Sequence, residues 1–141
     1  MPILGIDFGS RRLGLAVSDE TGRIALPLPP VECAGAEKDL EAIGALARER
    51  AIERVVVGLP LGLDGRKGAQ AEAAERFAAA LREGLGLPVE LLDERFSTRE
   101  AEQALEASGR RGRKKKKAVL DSVAATVLLR TYLERRAGAA G

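Results

Sequence analysis

Histidine is absent from these 141 residues, and cysteine occurs once, as Cys33. Without an imidazole base, a Cys/His zinc site or a Cys–His nucleophile pair, the chemistry open to the chain is that of carboxylates, hydroxyls, lysine and arginine. Tryptophan is also absent, and Phe8, Phe77, Phe96 and Tyr132 are the whole aromatic complement, so recognition by stacking on aromatic rings is a poor candidate. No apolar run approaches the ~20 residues of a membrane-spanning helix, and the start MPILGIDFG lacks the basic, apolar and small-residue order of a signal peptide. A lone cysteine forms no internal disulfide, which agrees with a reducing compartment. A cytoplasmic protein with no membrane partner is the expectation.

With 45% hydrophobic and 31% charged residues, the chain is long enough to bury one modest core. Residues 1–136 are expected to form a single domain, with 137–141 (AGAAG) as a disordered tail. The formal charge of +2 conceals an asymmetry. Seven of the 23 basic residues lie between Gly109 and Lys117, leaving 16 elsewhere against 21 acids. An acidic body carries a strongly basic segment.

Ile3 to Asp7, Leu13 to Ser18 and Ile24 to Leu28 are short apolar or alternating segments separated by turn-forming GSRR and DETG, which predicts an antiparallel three-strand meander ended by Pro27, Pro29 and Pro30. Leu40, Ile43, Leu46 and Ala47 recur at helical spacing, and the unbroken apolar run Arg54 to Pro60 suits a strand buried on both faces. An alanine-rich helix over 69–83 stops at Gly84 and Gly86, and Val89 to Asp93 forms another strand. Ser97 with Glu100 is a capping box for a further helix. A basic loop then leads to a last helix over about 117–135. The predicted order is βββαβαβαα, an α/β domain whose first strands are antiparallel and whose later ones are parallel.

Asp7 ends an apolar strand beside Gly9, where a carboxylate can hold a cation and a glycine lets a ligand approach the backbone; a turn-forming aspartate is the plain alternative. Asp93, Glu94 and Arg95 close the last strand. Alternation sends Asp93 and Glu94 to opposite faces, so only one of them can share a site with Asp7. In the final helix Leu120, Val123, Ala124, Val127, Leu128 and Thr131 mark a buried stripe, with Asp121 about 90° from its centre. Its alternative role is to stabilise the helix N-terminus. Three such acids without histidine or cysteine favour Mg²⁺ or Mn²⁺, and a divalent cation also explains how carboxylates tolerate one another's proximity.

The run Arg110, Arg111, Arg113, Lys114, Lys115, Lys116 and Lys117 opposes the dipole of the helix that follows, so helix stability does not explain it. Phosphate contact does, which makes nucleic acid the expected partner; a solvated charge run is the alternative. The loop from Gly58 to Gly65 also suits a phosphate backbone, but Lys67 is followed by Gly68, so it is not a Walker A loop.

Taken in order, Asp7-Phe8-Gly9-Ser10-Arg11-Arg12-Leu13-Gly14-Leu15-Ala16, Val57-Gly58-Leu59-Pro60 with Asp64-Gly65, Asp93-Glu94-Arg95-Phe96-Ser97-Thr98 and Leu120-Asp121-Ser122-Val123-Ala124-Ala125 resemble the bacterial YqgF family. That family is described as Holliday junction resolvases or as nucleases processing the precursor of 16S ribosomal RNA. The resemblance implies a ribonuclease H-like fold with a five-stranded mixed sheet, and a metal-dependent phosphodiesterase site. Carried over by position, its acids are Asp7, Glu94 and Asp121, holding one or two Mg²⁺ or Mn²⁺ ions. Related resolvases place the second acid on the fourth strand, where this chain has Gly58-Leu59-Pro60, so Asp93 stays open beside Glu94, with Asp64 as an outside candidate.

In-line hydrolysis is the expected reaction, its products a 5′-phosphate and a 3′-hydroxyl as the resemblance implies, with Arg12 and Arg95 on the scissile phosphate and the 110–117 segment on flanking phosphates. Processing the 5′ end of precursor 16S rRNA is the first reading of the substrate, and a four-way DNA junction is the second. An actin-like ATPase half-domain and a non-catalytic ribosome-assembly factor are the rivals from other classes. A junction resolvase requires a two-fold homodimer, whereas an RNA nuclease can act as a monomer.

Overall fold

A computed structural model describes residues 2–9, 11–61, 65–93 and 113–140, with side chains in the last segment from 123 to 137. The elements are β1 (Ile3–Phe8), β2 (Arg12–Ser18), β3 (Ala25–Glu32), α1 (Ala36–Glu49), β4 (Arg54–Leu59), α2 (Ala69–Leu85), β5 (Val89–Asp93) and α3 (Arg113–Ala140). The strands form one sheet in the order β3-β2-β1-β4-β5. β1, β2 and β3 pair antiparallel, whereas β4 and β5 join parallel to β1. The meander and the parallel extension are therefore as expected. The further helix expected from Ser97 lies outside the described residues.

Alternation along the strands divides the core between two faces. Leu4, Ile6, Val55, Val57 and Val89 pack with Ile43 of α1 and with Ala74, Phe77, Ala78 and Leu81 of α2. Ile3, Ala16, Val56 and Leu92 pack instead beneath Ala125, Leu128, Leu129, Tyr132 and Leu133 of α3. The VVV run of β4 is apolar throughout because both faces are covered. α2 stops as glycine dictates: Gly86 takes φ 65° and returns its N–H to the Arg82 carbonyl at 3.0 Å.

Two boundaries differ from the sequence reading. β3 continues through Pro27, Pro29 and Pro30 to Glu32. It is an edge strand, so a proline there removes no ladder bond on its open side. α3 starts at Arg113, so the lysines of the basic segment are helical rather than part of a loop, and its backbone continues to Ala140. Lysine's unbranched side chain loses little freedom in a helix, and charge alone does not mark a loop. Among the described residues no helix is long and apolar enough to cross a membrane.

Candidate active site

Asp7 sits half-buried at the carboxyl end of β1, on the α3 side of the sheet with Ile3 and Gly5. Its cross-strand partner on β2 is Gly14. On the other side, β1 and β4 pair through Ile6 and Val57, so the next position opposite Asp7 is Gly58, which in turn pairs with Leu92 of β5. The carboxylate thus stands between two glycines, with no side chain beside it on either neighbouring strand. Glycine inside an apolar strand weakens the strand and commonly marks a close approach. Gly14 and Gly58 are the sequence signal for this open floor; the sequence reading took Gly58 as the start of a phosphate-approaching loop but did not place either glycine beside Asp7.

α3 defines the roof. A Cβ built on Gly5 would lie 3.0 Å from Leu129 Cβ and 3.4 Å from the Ala125 carbonyl oxygen, so the helix rides directly on the β1 backbone. Ile3 and Leu133 line one cavity, and Gly5 meets Leu129 and Ala125, so α3 advances from its carboxyl end toward Asp7 as it is followed backwards. The buried residues are Ala125, Val127, Leu128, Leu129, Tyr132 and Leu133, so Val127 and Leu128 of the expected stripe are buried whereas Val123, Ala124 and Thr131 are only half-buried. The helix is rotated by about one residue, or 100°, from the sequence reading. Position 121 lies four residues before Ala125, on the same row of the backbone rather than at its edge.

Arg12 begins β2 on the same sheet face as Gly14 and Ala16, diagonally across from Asp7. Gly9 has a structural reason that the sequence reading missed. Its N–H donates to the Arg12 carbonyl at 3.1 Å, and a Cβ on Gly9 would come within 2.5 Å of that oxygen. The hairpin needs glycine whether or not a ligand approaches it. Beneath it, the Cys33 thiol lies 3.8 Å from the Gly9 carbonyl oxygen. Burial pushes that thiol's pKa up and the Asp39 carboxylate adds to the effect, both disfavouring the thiolate.

Asp93 occupies the opposite face from Asp7. Val89 and Leu91, two and four residues before it, belong to the α1/α2 core, whereas Leu92 belongs to the α3 core. Glu94, Arg95, Asp64, Arg110 and Arg111 lie outside the described residues, and Arg113, Lys114, Lys115, Lys116, Lys117 and Asp121 are described through the α3 backbone alone. Among the described residues no three acids or cysteines gather into a metal-binding group. The donor available, an aspartate with open space on both flanks, has the hard oxygen chemistry of a Mg²⁺ or Mn²⁺ ligand.

The RuvX model, described as Holliday junction resolvase, matches residues 1–135. A protein of Anaeromyxobacter dehalogenans named "Putative pre-16S rRNA nuclease" is 47% identical over 137 residues, covering 97% of this chain and 99% of its own. One of the same name from Chloroflexus aurantiacus is 45% identical over 134 residues, covering 95% and 87%. Among solved structures, RuvC of T. thermophilus in complex with a Holliday junction superposes with a TM-score of 0.64 at 19% identity, covering 98% of this chain and 96% of its own. The fowlpox virus resolvase with its junction DNA gives 0.60 at 11% identity, covering 96% and 99%. These two likenesses carry the fold, which is ribonuclease H-like.

Proposed function

The chain belongs to the RuvX family, and on that premise we propose that it is a Mg²⁺- or Mn²⁺-dependent nuclease that processes the 5′ end of precursor 16S rRNA. The observation that carries this reading is Asp7, half-buried between Gly14 and Gly58 at the end of β1, on the face of the sheet that α3 covers. Glu94 completes the acid set. Asp93 is set aside because it shares its face with Val89 and Leu91, across the sheet from Asp7.

In this reading Asp7, Glu94 and Asp121 would hold the metal, which when bound would lower the pKa of a water and offset charge on the departing oxygen. Arg12, on the face of Asp7, orients the phosphate and neutralises part of its charge. Arg95, which follows Glu94 in the sequence, is assigned the same role. Gly58 gives the phosphodiester room to settle between β1 and β5. The basic residues Arg110, Arg111, Arg113 and Lys114 to Lys117 hold flanking phosphates and contribute affinity rather than bond cleavage.

The test is cleavage of an RNA spanning the 5′ end of the mature sequence, with a four-way DNA junction in parallel and Mn²⁺ in both. Asp7→Asn and Asp121→Asn should each lower the rate at least about a hundredfold, the scale of losing several kcal/mol of charge stabilisation. Full metal-dependent cleavage by either variant would overturn the assignment. The junction is the second reading, supported by the family's description. Cleavage of junctions alone, with a two-fold dimer in solution, would replace RNA by branched DNA as the substrate.

A further inference from the structure

A second basic region, separate in sequence from the 110–117 segment, lies at the other end of the sheet from Asp7. Arg54 opens β4, Arg82 lies in the last turn of α2, and Arg135 and Arg136 lie on α3; together they line a groove of about 700 Å³ along the outer edge of β5. Glu90 is the one acid among its lining residues. Outside the 109–117 segment the chain has fewer basic than acidic residues, so four arginines about one carboxylate are a local concentration and do not follow from composition.

The arginines of this set also have partners within the chain. An Arg54 terminal nitrogen is 3.0 Å from Glu90 Oε1, and Arg82 Nε donates to the Val89 carbonyl at 2.9 Å. Each guanidinium has five N–H donors, so both arginines keep further donors after these bonds. Arg136 sits 5.9 Å from the centre of the Tyr132 ring, which holds its planar fork at the groove wall. A helix-dipole role does not explain Arg135 and Arg136, because α3 continues to Ala140 and has no basic residue in its last turn.

Position decides what such a groove takes. Arg54 pairs with Ile3, four residues before Asp7 on β1, and β5 lies two strands from β1. The groove is therefore displaced from Asp7 by about 13 Å along the strands and about 10 Å across them. That offset is too large for one phosphate to touch both, and short enough for a single polynucleotide strand to do so. We propose that the Arg54, Arg82, Arg135 and Arg136 groove is a second phosphate subsite that holds the substrate's sugar-phosphate backbone away from the bond that is cut. It rests on the nuclease reading above and extends the footprint to the edge of β5.

Binding of a fluorescent single-stranded RNA, measured against salt concentration without divalent metal, tests the groove apart from cleavage. Arg135→Gln/Arg136→Gln should weaken binding several-fold and flatten the slope of log affinity against log salt by about 1.4, at about 0.7 per single-strand phosphate contact. Arg135→Lys/Arg136→Lys keeps both charges and should keep the wild-type slope. An unchanged slope in the glutamine variant, with wild-type thermal unfolding, would overturn the proposal. So would a mononucleotide that binds wild type as tightly as the RNA and loses affinity in the same variant, since the ligand would then be a free phosphate compound. Wild-type cleavage in Mn²⁺ reports on the nuclease reading by itself, whichever way the slope turns out.

Discussion

Gly5 and Leu129 fix the height of α3 above the sheet: a Cβ on Gly5 would stand 3.0 Å from Leu129 Cβ. Two residues farther along β1 is Asp7, and one turn beyond Ala125 on the helix is position 121. The close approach of helix to strand thus sets how near the α3 backbone runs to the end of β1.

Gly5→Ala should therefore lower both stability and cleavage. Leu129 is fully buried and has no room to withdraw, so overpacking of this kind costs about 1–3 kcal/mol. Chemical denaturation gives the stability, and turnover at saturating substrate gives the activity. A neutral substitution on both would mean that α3 is not seated on β1 as described.

The two neighbouring acids at the end of β5 should separate cleanly. Glu94→Gln should lose at least about a hundredfold in metal-dependent rate, as a lost metal ligand does. Asp93→Asn should retain most of the rate, because Asp93 lies on the α1/α2 side. The reverse pattern in parallel cleavage assays would move the second ligand to Asp93.

Replacing Lys114 to Lys117 by glutamine should weaken nucleic-acid binding, but by less than four contacts' worth. These positions are consecutive in α3, so they are spaced about 100° apart and no single strand meets all of them. At about 0.7 per single-strand phosphate, a loss of two contacts flattens the salt slope by about 1.4, and four would flatten it by about 2.8. Fluorescence titration at several salt concentrations distinguishes the two.

Tyr132 predicts an alkaline limit to stability. Burial raises its pKa, helped by its hydrogen bond to Glu90. The folded state thus favours the neutral phenol more than the unfolded chain does. That contribution is fully present below the ordinary value of 10.0 and is lost as pH rises through the higher folded value. Tyr132→Phe should remove this tyrosine's share of the stability loss above pH 10, seen as a shallower fall in unfolding midpoint with pH. An unchanged pH profile would show that Tyr132 does not titrate differently in the folded state.

The amino-acid order alone determined much of this protein. Strands β1, β2, β4 and β5 were legible because short apolar runs bounded by glycine and turn residues have few other uses. The absence of histidine left oxygen ligands and a hard cation, and the ordered motifs around Asp7, Glu94 and Asp121 resembled one family. Local signals failed where several structures satisfy them equally. Three prolines read as a strand end, yet β3 keeps them because it lies at the sheet edge and its pairing with β2 shifts register where Pro29 and Pro30 fall, between the partners Leu28 and Val31. A lysine run read as a loop, yet lysine is at ease in a helix.

Only the tertiary structure decided how the site is assembled. From Val123 to Leu133 the α3 sequence is apolar on most of its circumference, so periodicity left its rotation open by about one residue. Contact with the bare backbone of Gly5 set that rotation and turned Ala125 and Leu129 onto the sheet. Alternation told that Asp93 and Glu94 point apart, but not which of them faces Asp7; the pairing of β5 with β4, and the cores on its two sides, placed Asp93 across the sheet. Glycines 14 and 58 likewise acquired their meaning from register, since only the paired strands put them on either side of one carboxylate. Side-chain chemistry was written in the order of residues, whereas proximity was settled by how closely the backbones could pack.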